Sequence, residues 1–357
     1  MFTRKKTKVI NIGNVKIGGG NSIVIQSMTN TDTRDLKSTI RQIKQLEDVG
    51  CEIVRVSVPD MESAKNIKSI KKHIKIPLVA DIHFDHRLAL ESIKQGIDKL
   101  RINPGNIGSK ERVMELVKEA KLAHIPIRIG VNAGSLKEVH TFSTVKDKAR
   151  ALVKATLEHV KILEDCNFDD IIVSLKASDV ETTVEAYTLF ARKRSYPIHL
   201  GITEAGSSFR GTIKSSVGLG IMLAKGLGDT IRVSLTANPV EEVRVAYQIL
   251  QSLNLRNTGI ELISCPTCSR TKIDLIKIVN ELEIELAKVQ KKYFNKKIKI
   301  AVMGCVVNGP GEAKEADFGI AGGIGEGVLF QKGKIIGKIP EDKWVQKIVS
   351  MCKIFEF

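Results

Sequence analysis

Cys265 and Cys268 stand at C-x-x-C spacing around Pro266 and Thr267, and Cys305 lies in the turn Gly304-Cys-Val-Val-Asn-Gly-Pro-Gly311. Three thiolates from one tight loop and one distant turn form a corner for a soft metal, either zinc or the irons of an iron–sulfur cluster. The chain has no second C-x-x-C or H-x-x-x-H pair to close a four-ligand structural zinc site. A reactive metal, by contrast, keeps one position weak or open. The turn around Cys305 is rich in backbone N–H donors, which stabilise sulfide and thiolate charge. The pattern therefore favours an iron–sulfur cluster, with structural zinc as the alternative. Glu312, seven residues after Cys305, is the nearest hard ligand. By its own context it reads as a carboxylate at a helix start. Cys51, Cys166 and Cys352 read as buried or incidental thiols.

A second set of residues suits anions. Side chains two apart on a strand share a face. By that parity Arg55 and Ser57 go together, as do Asp81 and His83, Arg101 and Asn103, Arg128 and Asn132, Ser174 and Lys176, His199 and Thr203, and Arg232 and Ser234. A fully buried parallel strand should be apolar throughout. Polar residues at the C-terminal end of strand after strand are what a barrel uses to build a site at its mouth. Five of these residues are cations: Arg55, Arg101, Arg128, Lys176 and Arg232. Asp81 and Glu204 are the nearest carboxylates, too few to neutralise them. Such a ring calls for an anion with several charged oxygens, because arginine matches phosphate and carboxylate bidentately.

The elements that must position these residues follow from the alternation. Short β-branched runs at 23–26, 53–58, 77–83, 100–103, 127–131, 171–176, 197–203 and 231–235 are separated by amphipathic stretches of helical length. Eight strand–helix units predict a (β/α)8 TIM barrel over residues 1–250, with a doubly wound sheet as the alternative. Residues 251–263 read as a linker, and 264–357 as a small α/β domain that carries the cysteines. In that domain Ser269 or Thr271 is expected to cap a long helix with an Ile276, Val279, Leu282, Leu286, Val289 stripe. A strand at 299–303 leads to Cys305, a hairpin turns at Lys332-Gly333, and a last helix holds Trp344.

Composition sets outer limits. A hydrophobic fraction of 43% supports a sizeable core, and 4% aromatics make it mostly Ile, Val and Leu. The formal charge of +16 is dispersed over lysines without a basic block interleaved with aromatics, so it reads as a solvated surface and not as a nucleic-acid interface. Six irregularly spaced cysteines form no disulfide framework. The basic start runs into Asn11-Ile-Gly-Asn14 and not into an apolar segment, and no 18-residue apolar stretch exists. A reducing cytoplasm is the expected compartment.

Several motifs are specific enough to carry a resemblance. They are Gln26-Ser-Met-Thr-Asn-Thr-Asp-Thr33, Val54-Arg-Val-Ser-Val-Pro59, Ala80-Asp-Ile-His83, Leu100-Arg-Ile-Asn-Pro-Gly-Asn106, Gly130-Val-Asn-Ala-Gly-Ser135, His199-Leu-Gly-Ile-Thr-Glu-Ala-Gly206 and Asn308-Gly-Pro-Gly-Glu312. In order and over essentially the whole chain, they resemble the bacterial 4-hydroxy-3-methylbut-2-enyl diphosphate synthase family of the non-mevalonate isoprenoid pathway, in its two-domain form. The resemblance implies two-electron reductive ring opening and dehydration of 2-C-methyl-D-erythritol 2,4-cyclodiphosphate. It implies a [4Fe–4S] cluster on Cys265, Cys268, Cys305 and Glu312, so Glu312 becomes the displaceable fourth ligand. It further implies a diphosphate held by Arg55, Arg101, Arg128, Asn132, Ser174, Lys176, His199, Arg232 and Ser234. Asp81 and Glu204, with Glu312, are the candidate catalytic carboxylates, and His83 is placed at the same mouth. Flavodoxin, or else ferredoxin, is the implied electron donor, and a homodimer the implied assembly. No nucleic-acid or membrane partner is expected. Two other readings stand beside it: a pteridine-type transferase on a similar barrel, which needs no cluster, and a zinc-stabilised nucleic-acid-binding protein.

Overall fold

Ile10–Ile12 (β1) and Val15–Ile17 (β2) form an antiparallel hairpin that the sequence pattern does not announce. Ile10, Ile12 and Ile17 are buried against Val24, Ile53, Val79 and Ile172, residues at or near the starts of four barrel strands, and so close the barrel floor. The structure is a computed structural model that describes residues 3–107, 109–136, 142, 144–256, 259–289, 293, 296–305 and 315–355. The chain divides into two units, Met1–Arg256 and Asn257–Phe357.

The first unit alternates strand and helix: β3 (Val24–Met28), α1 (Leu36–Asp48), β4 (Ile53–Ser57), α2 (Met61–Lys71), β5 (Leu78–Asp81), α3 (His86–Lys94), β6 (Lys99–Ile102), the single turn α4 (Pro104–Ile107), α5 (Lys110–Leu122), β7 (Ile127–Asn132), α6 (Val145–Asp165), β8 (Ile171–Lys176), α7 (Val180–Lys193), β9 (His199–Leu200), α8 (Ser208–Ala224), β10 (Thr230–Ile231) and α9 (Pro239–Ser252). Strand β3 to strand β10 form one parallel sheet in the order β8-β7-β6-β5-β4-β3-β10-β9. A bridge between Val173 and Ile198, with Val173 N–H donating to Pro197 O at 2.9 Å, joins its two ends. The sheet is thus a barrel and not an open doubly wound sheet. Short polar residues start the helices: the side chains of Asp35, Asp60, Asp85, Thr144, Asp179 and Asn238 each accept a first-turn N–H. Strands β9 and β10 are two residues each, shorter than the runs at 197–203 and 231–235 suggest. Beyond them the chain continues without regular ladder pairing, which frees Arg232 and Ser234 for the mouth.

The second unit holds β11 (Gly259–Ser264), α10 (Leu275–Val289), β12 (Lys297–Met303), β13 (Phe318–Gly322), β14 (Glu326–Gln331), β15 (Lys334–Pro340) and α11 (Trp344–Ile354). Its sheet runs β11-β12-β13-β14-β15, parallel through β13 and antiparallel after it. The turn at Lys332-Gly333 has φ of 47° and 74°, the left-handed pair a two-residue hairpin needs. Residues 251–263 are not a linker throughout: they finish α9 and then enter β11, whose Ile260 is buried in the second core. The cap of α10 is Asp274, which accepts from Lys277 N–H at 3.1 Å, and not Ser269 or Thr271. Ile276 of the expected stripe is exposed; Leu275 and Ile278 take the buried face with Leu282 and Leu286.

Candidate functional site

The inward parity of the barrel strands is polar through most of its depth. Arg55, Asp81, Arg101, Arg128, Ser174 and Lys176 are buried on it, and Arg232 is largely so. Two glycines make the room. A Cβ on Gly130 would stand 2.8 Å from Arg101 Nε, and one on Gly201 would stand 2.5 Å from Lys176 Nζ. Arg101 Nη1 donates to Asp81 Oδ1 at 2.9 Å and to His83 Nε2 at 3.0 Å. Arg55 Nε lies 3.5 Å from Asp81 Oδ2 and donates to Met28 Sδ at 3.1 Å. Arg128 Nη1 donates to Ser174 Oγ at 2.8 Å, while its Nε and Nη2 are buried with no partner among the described residues. The Arg101 Nε and His199 Nε2 atoms are in the same condition.

Charge is the dominant property of this interior. Among the described residues six basic side chains occupy it, Arg55, Lys99, Arg101, Arg128, Lys176 and Arg232, and two carboxylates answer them, Asp81 and Glu242. Burial alone would raise Asp81, but the charges of Arg55 and Arg101 outweigh it and bring the carboxyl down to about 2. Burial, then repulsion from Arg128 and Arg55, pushes Lys176 well below the usual lysine range. An interior with more buried cations than partners is unfavourable until an anion arrives. Its unpartnered N–H groups are ready donors to phosphate oxygens.

The structure places the other expected residues less uniformly. His199 is fully buried, its Nδ1 paired with Thr230 Oγ1 at 2.7 Å. Asn132 and Ser234 are half-buried at the ends of their segments. Glu204 is exposed after β9 with a φ of 52°, a conformation rare outside glycine and common in functional loops. The second carboxylate of the interior is Glu242 and not Glu204. It takes Arg232 at 3.3 Å, Ser27 Oγ at 2.9 Å and Leu235 N–H at 3.1 Å. Sequence reasoning missed it because it comes from α9. Its signal was a charge inside an apolar stripe, at 242 with Ala246 and Leu250. Lys99 was missed because the strand was started one residue late. Stepping the Arg101 parity back by two finds it.

The cysteines lie on the second unit. β11 and β12 are parallel neighbours with Ser264 opposite Val302, so Cys265 follows the end of one strand and Cys305 comes shortly after the end of the next. Gly304 N–H donates to Cys265 Sγ at 3.2 Å. Cys268 is exposed in a turn closed by Thr271, whose hydroxyl accepts from Cys268 N–H at 3.2 Å. Bonds from the Arg270 backbone and side chain lower the Cys268 thiol toward thiolate. Among the described residues no three Cys, His, Asp or Glu side chains converge closely enough to hold a single metal ion. Thiolates on a multi-iron cluster are spread over several metal atoms. The donor set fits such a group: strand-end thiols, a backbone N–H on sulfur and one acidified thiol. Glu312 lies outside the described residues.

Comparison with known proteins adds lineage to this geometry. Residues 7–247 match the family described as the GcpE TIM-barrel domain, and residues 261–354 match the GcpE protein C-terminal domain. The chain is 56% identical over 346 residues to the 4-hydroxy-3-methylbut-2-en-1-yl diphosphate synthase (flavodoxin) of Clostridium acetobutylicum, covering 97% of this chain and 98% of the relative. It is 55% identical over 352 residues to the protein of the same name from Clostridium perfringens, covering 99% of each. Two solved dihydropteroate synthases are similar in fold alone. That of Yersinia pestis has a TM-score of 0.50 at 11% identity, over 69% of this chain and 98% of its own. That of Stenotrophomonas maltophilia has a TM-score of 0.53 at 11% identity, over 70% and 98%. Among the described residues no helix is long and apolar enough to cross a membrane.

Proposed function

The chain belongs to the GcpE family, and from that membership we propose that it makes 4-hydroxy-3-methylbut-2-enyl diphosphate by reductive ring opening of 2-C-methyl-D-erythritol 2,4-cyclodiphosphate. The names of its relatives state a synthase of that diphosphate for them, and in this reading the chain is an enzyme of isoprenoid precursor synthesis. The observation that carries the substrate is the barrel interior, where among the described residues six basic side chains face two carboxylates and several N–H groups have no partner. A cyclic diphosphate brings the missing charge and oxygen acceptors in one ligand. Neither alternative accounts for both units: a pteridine transferase leaves the cysteines without a role, and a zinc-stabilised nucleic-acid binder leaves the buried cations without one.

In this reading Arg128, Arg101, Arg55, Lys176 and Arg232 hold the two phosphates, with Ser174, Asn132, Ser234 and His199 adding hydrogen bonds. Asp81 orients Arg101 and Arg55 and stays ionised, so it positions cations and does not donate a proton. Glu204, exposed on a strained loop, is the carboxylate available for proton transfer. Cys265, Cys268, Cys305 and Glu312 would hold a [4Fe–4S] cluster, which when bound supplies reducing electrons and a Lewis-acidic iron. The electron donor is a flavodoxin, in keeping with the relatives' name, and the chain's +16 charge suits an acidic carrier. The test is anaerobic turnover of the cyclic diphosphate by reconstituted protein with reduced flavodoxin. Formation of the linear diphosphate supports the assignment; tight binding of iron without any ring opening rejects it.

A second copy of the chain is the proposed assembly partner, and α8 offers a face for it. Phe209, Ile213, Val217 and Ile221 form an exposed ridge at four-residue spacing, 76% exposed at Phe209. Beside it Thr212, Ser216 and Gly220 line a groove of about 340 Å³ with Val245 and Ile249. A ridge and a groove of the same inclination on one helix complement each other across a two-fold axis. Ile213→Asp is expected to shift the protein from dimer to monomer in sedimentation velocity at micromolar concentration. A dimer that persists unchanged would assign the contact to another face.

A further inference from the structure

Lys99 is fully buried on β6, two residues before Arg101 on the same inward face, and so lies one layer, roughly 6–7 Å, below the cations of the mouth. Among the described residues its Nζ has one hydrogen-bond partner, Gln26 Oε1 at 3.1 Å. Nearby donors are open too: Gln26 Nε2, and the Nε and Nη2 of Arg128 from the neighbouring strand, are buried without partners among the described residues. Most strands around Lys99 turn titratable groups toward the interior, β3 being the uncharged exception with Gln26. Arg55 and Asp81 come from β4 and β5, and Arg101 and Arg128 from β6 and β7. Lys176 and His199 come from β8 and β9, and beyond β10 Arg232 is paired to Glu242 of α9. Both carboxylates are committed, to Arg55 and Arg101 and to Arg232. Arginine keeps its proton in any protein setting, whereas a lysine can give its proton up. Burial, then the charges of Arg128 and Arg55, pushes Lys99 well below the usual lysine range.

The proposed reaction changes the charge that this layer sees. One C–O bond to a phosphate opens, the neighbouring hydroxyl leaves as water, and a carbon–carbon double bond forms. The cyclic diester dianion, two electrons from the flavodoxin and one proton give the linear trianion and one water. The phosphate freed from carbon therefore gains a full negative charge while still held by the cations.

We propose that Lys99 is a positioning residue that compensates this charge: a neutral amine beneath the bound cyclic diester, it takes up a further proton as the ring opens and returns it when the linear diphosphate leaves. It acts through Arg128, which stands opposite Arg101 in the register of β6 and β7, and not on the reacting carbons. The inference rests on the function proposed above.

The test uses calorimetry on full-length, anaerobically reconstituted protein at mildly alkaline pH, where both free ligands are fully ionised. Heats of binding in buffers of different ionisation enthalpy give the protons taken up with each ligand. Wild-type protein is expected to take up about one more proton with the linear diphosphate than with the cyclic one. In Lys99→Met that difference disappears, and affinity for the linear ligand falls about tenfold or more while that for the cyclic one is nearly kept. Lys99→Arg, permanently charged, is expected to recover the linear ligand's affinity without the extra proton. Equal uptake with both ligands in wild-type protein overturns the inference without any variant. So does a difference that survives in Lys99→Met, which would put the proton on Lys176 or His199. If wild-type protein binds neither ligand, the proposed function fails with it.

Discussion

Replacing Cys265, Cys268 or Cys305 by Ser is expected to abolish bound iron and turnover while leaving affinity for the cyclic diphosphate unchanged. The two halves of that result come from different units of the chain, Asn257–Phe357 for the cysteines and Met1–Arg256 for the anion site. A hydroxyl keeps the shape of a thiol but not its softness or its acidity, so ligation is lost with little change in packing. Two of the three remaining cysteines provide the control. Cys51 and Cys352 are buried, and burial pushes their thiols up to about 12, which makes them inert at neutral pH. Cys268, exposed and acidified by its neighbours, is of the opposite kind. Cys51→Ala and Cys352→Ala should therefore lose some stability, as any emptied core site does, and keep full iron. Glu312→Gln belongs to the same series, with iron retained less firmly and turnover strongly reduced. The measurement is iron per protein beside calorimetric affinity in each variant. A Cys→Ser protein with full iron and normal turnover removes that cysteine from the ligand set.

The barrel was legible because its strands alternate faces, and a charge that recurs at one parity is visible before any coordinate is known. Arg55, Arg101 and Arg128 fall in place for that reason, and so does Asp81 between the first two. Parity says which face a residue is on but not what reaches that face from elsewhere. Glu242 arrives from a helix more than two hundred residues after Ser27, whose hydroxyl it accepts. The hairpin of β1 and β2 escaped notice because three-residue strands leave too short a pattern; its role appears only when Ile12 and Ile17 are seen against Val79 and Ile172. The cysteine unit was readable as a ligand set from spacing alone. Its local structure was not, since Thr271, expected to cap α10, instead closes the Cys268 turn and leaves the cap to Asp274. In each case the missing information was a contact between residues far apart in the chain or a competition between two neighbouring uses of one side chain.

Arg128 is where substrate binding and stability should part most sharply. The residue is 1% exposed, and among the described residues its guanidinium has one hydrogen bond, to Ser174 at 2.8 Å, and no carboxylate of its own. In the empty barrel it is a buried, under-compensated charge beside Arg55 and Arg101. Removing such a charge relieves a desolvation penalty of several kcal/mol, against about 1 kcal/mol for the lost bond to Ser174. Arg128→Met, which conserves much of the volume, should therefore stabilise the ligand-free protein by about 1–3 kcal/mol, raising Tm by roughly 2–4 °C for each kcal/mol. With the cyclic diphosphate the sign reverses. Among the described residues Arg128 has two unpartnered nitrogens to offer, Nε and Nη2, and charge-assisted bonds are worth about 1.5–3 kcal/mol each. Affinity should fall by roughly a hundredfold or more. Gains and losses of opposite sign in one variant are the signature of a residue kept for its ligand at the cost of the fold. Thermal melts without ligand and calorimetry with it, at the same salt, read both effects. A lower Tm with unchanged affinity would make Arg128 a structural cation and move the diphosphate site elsewhere in the barrel.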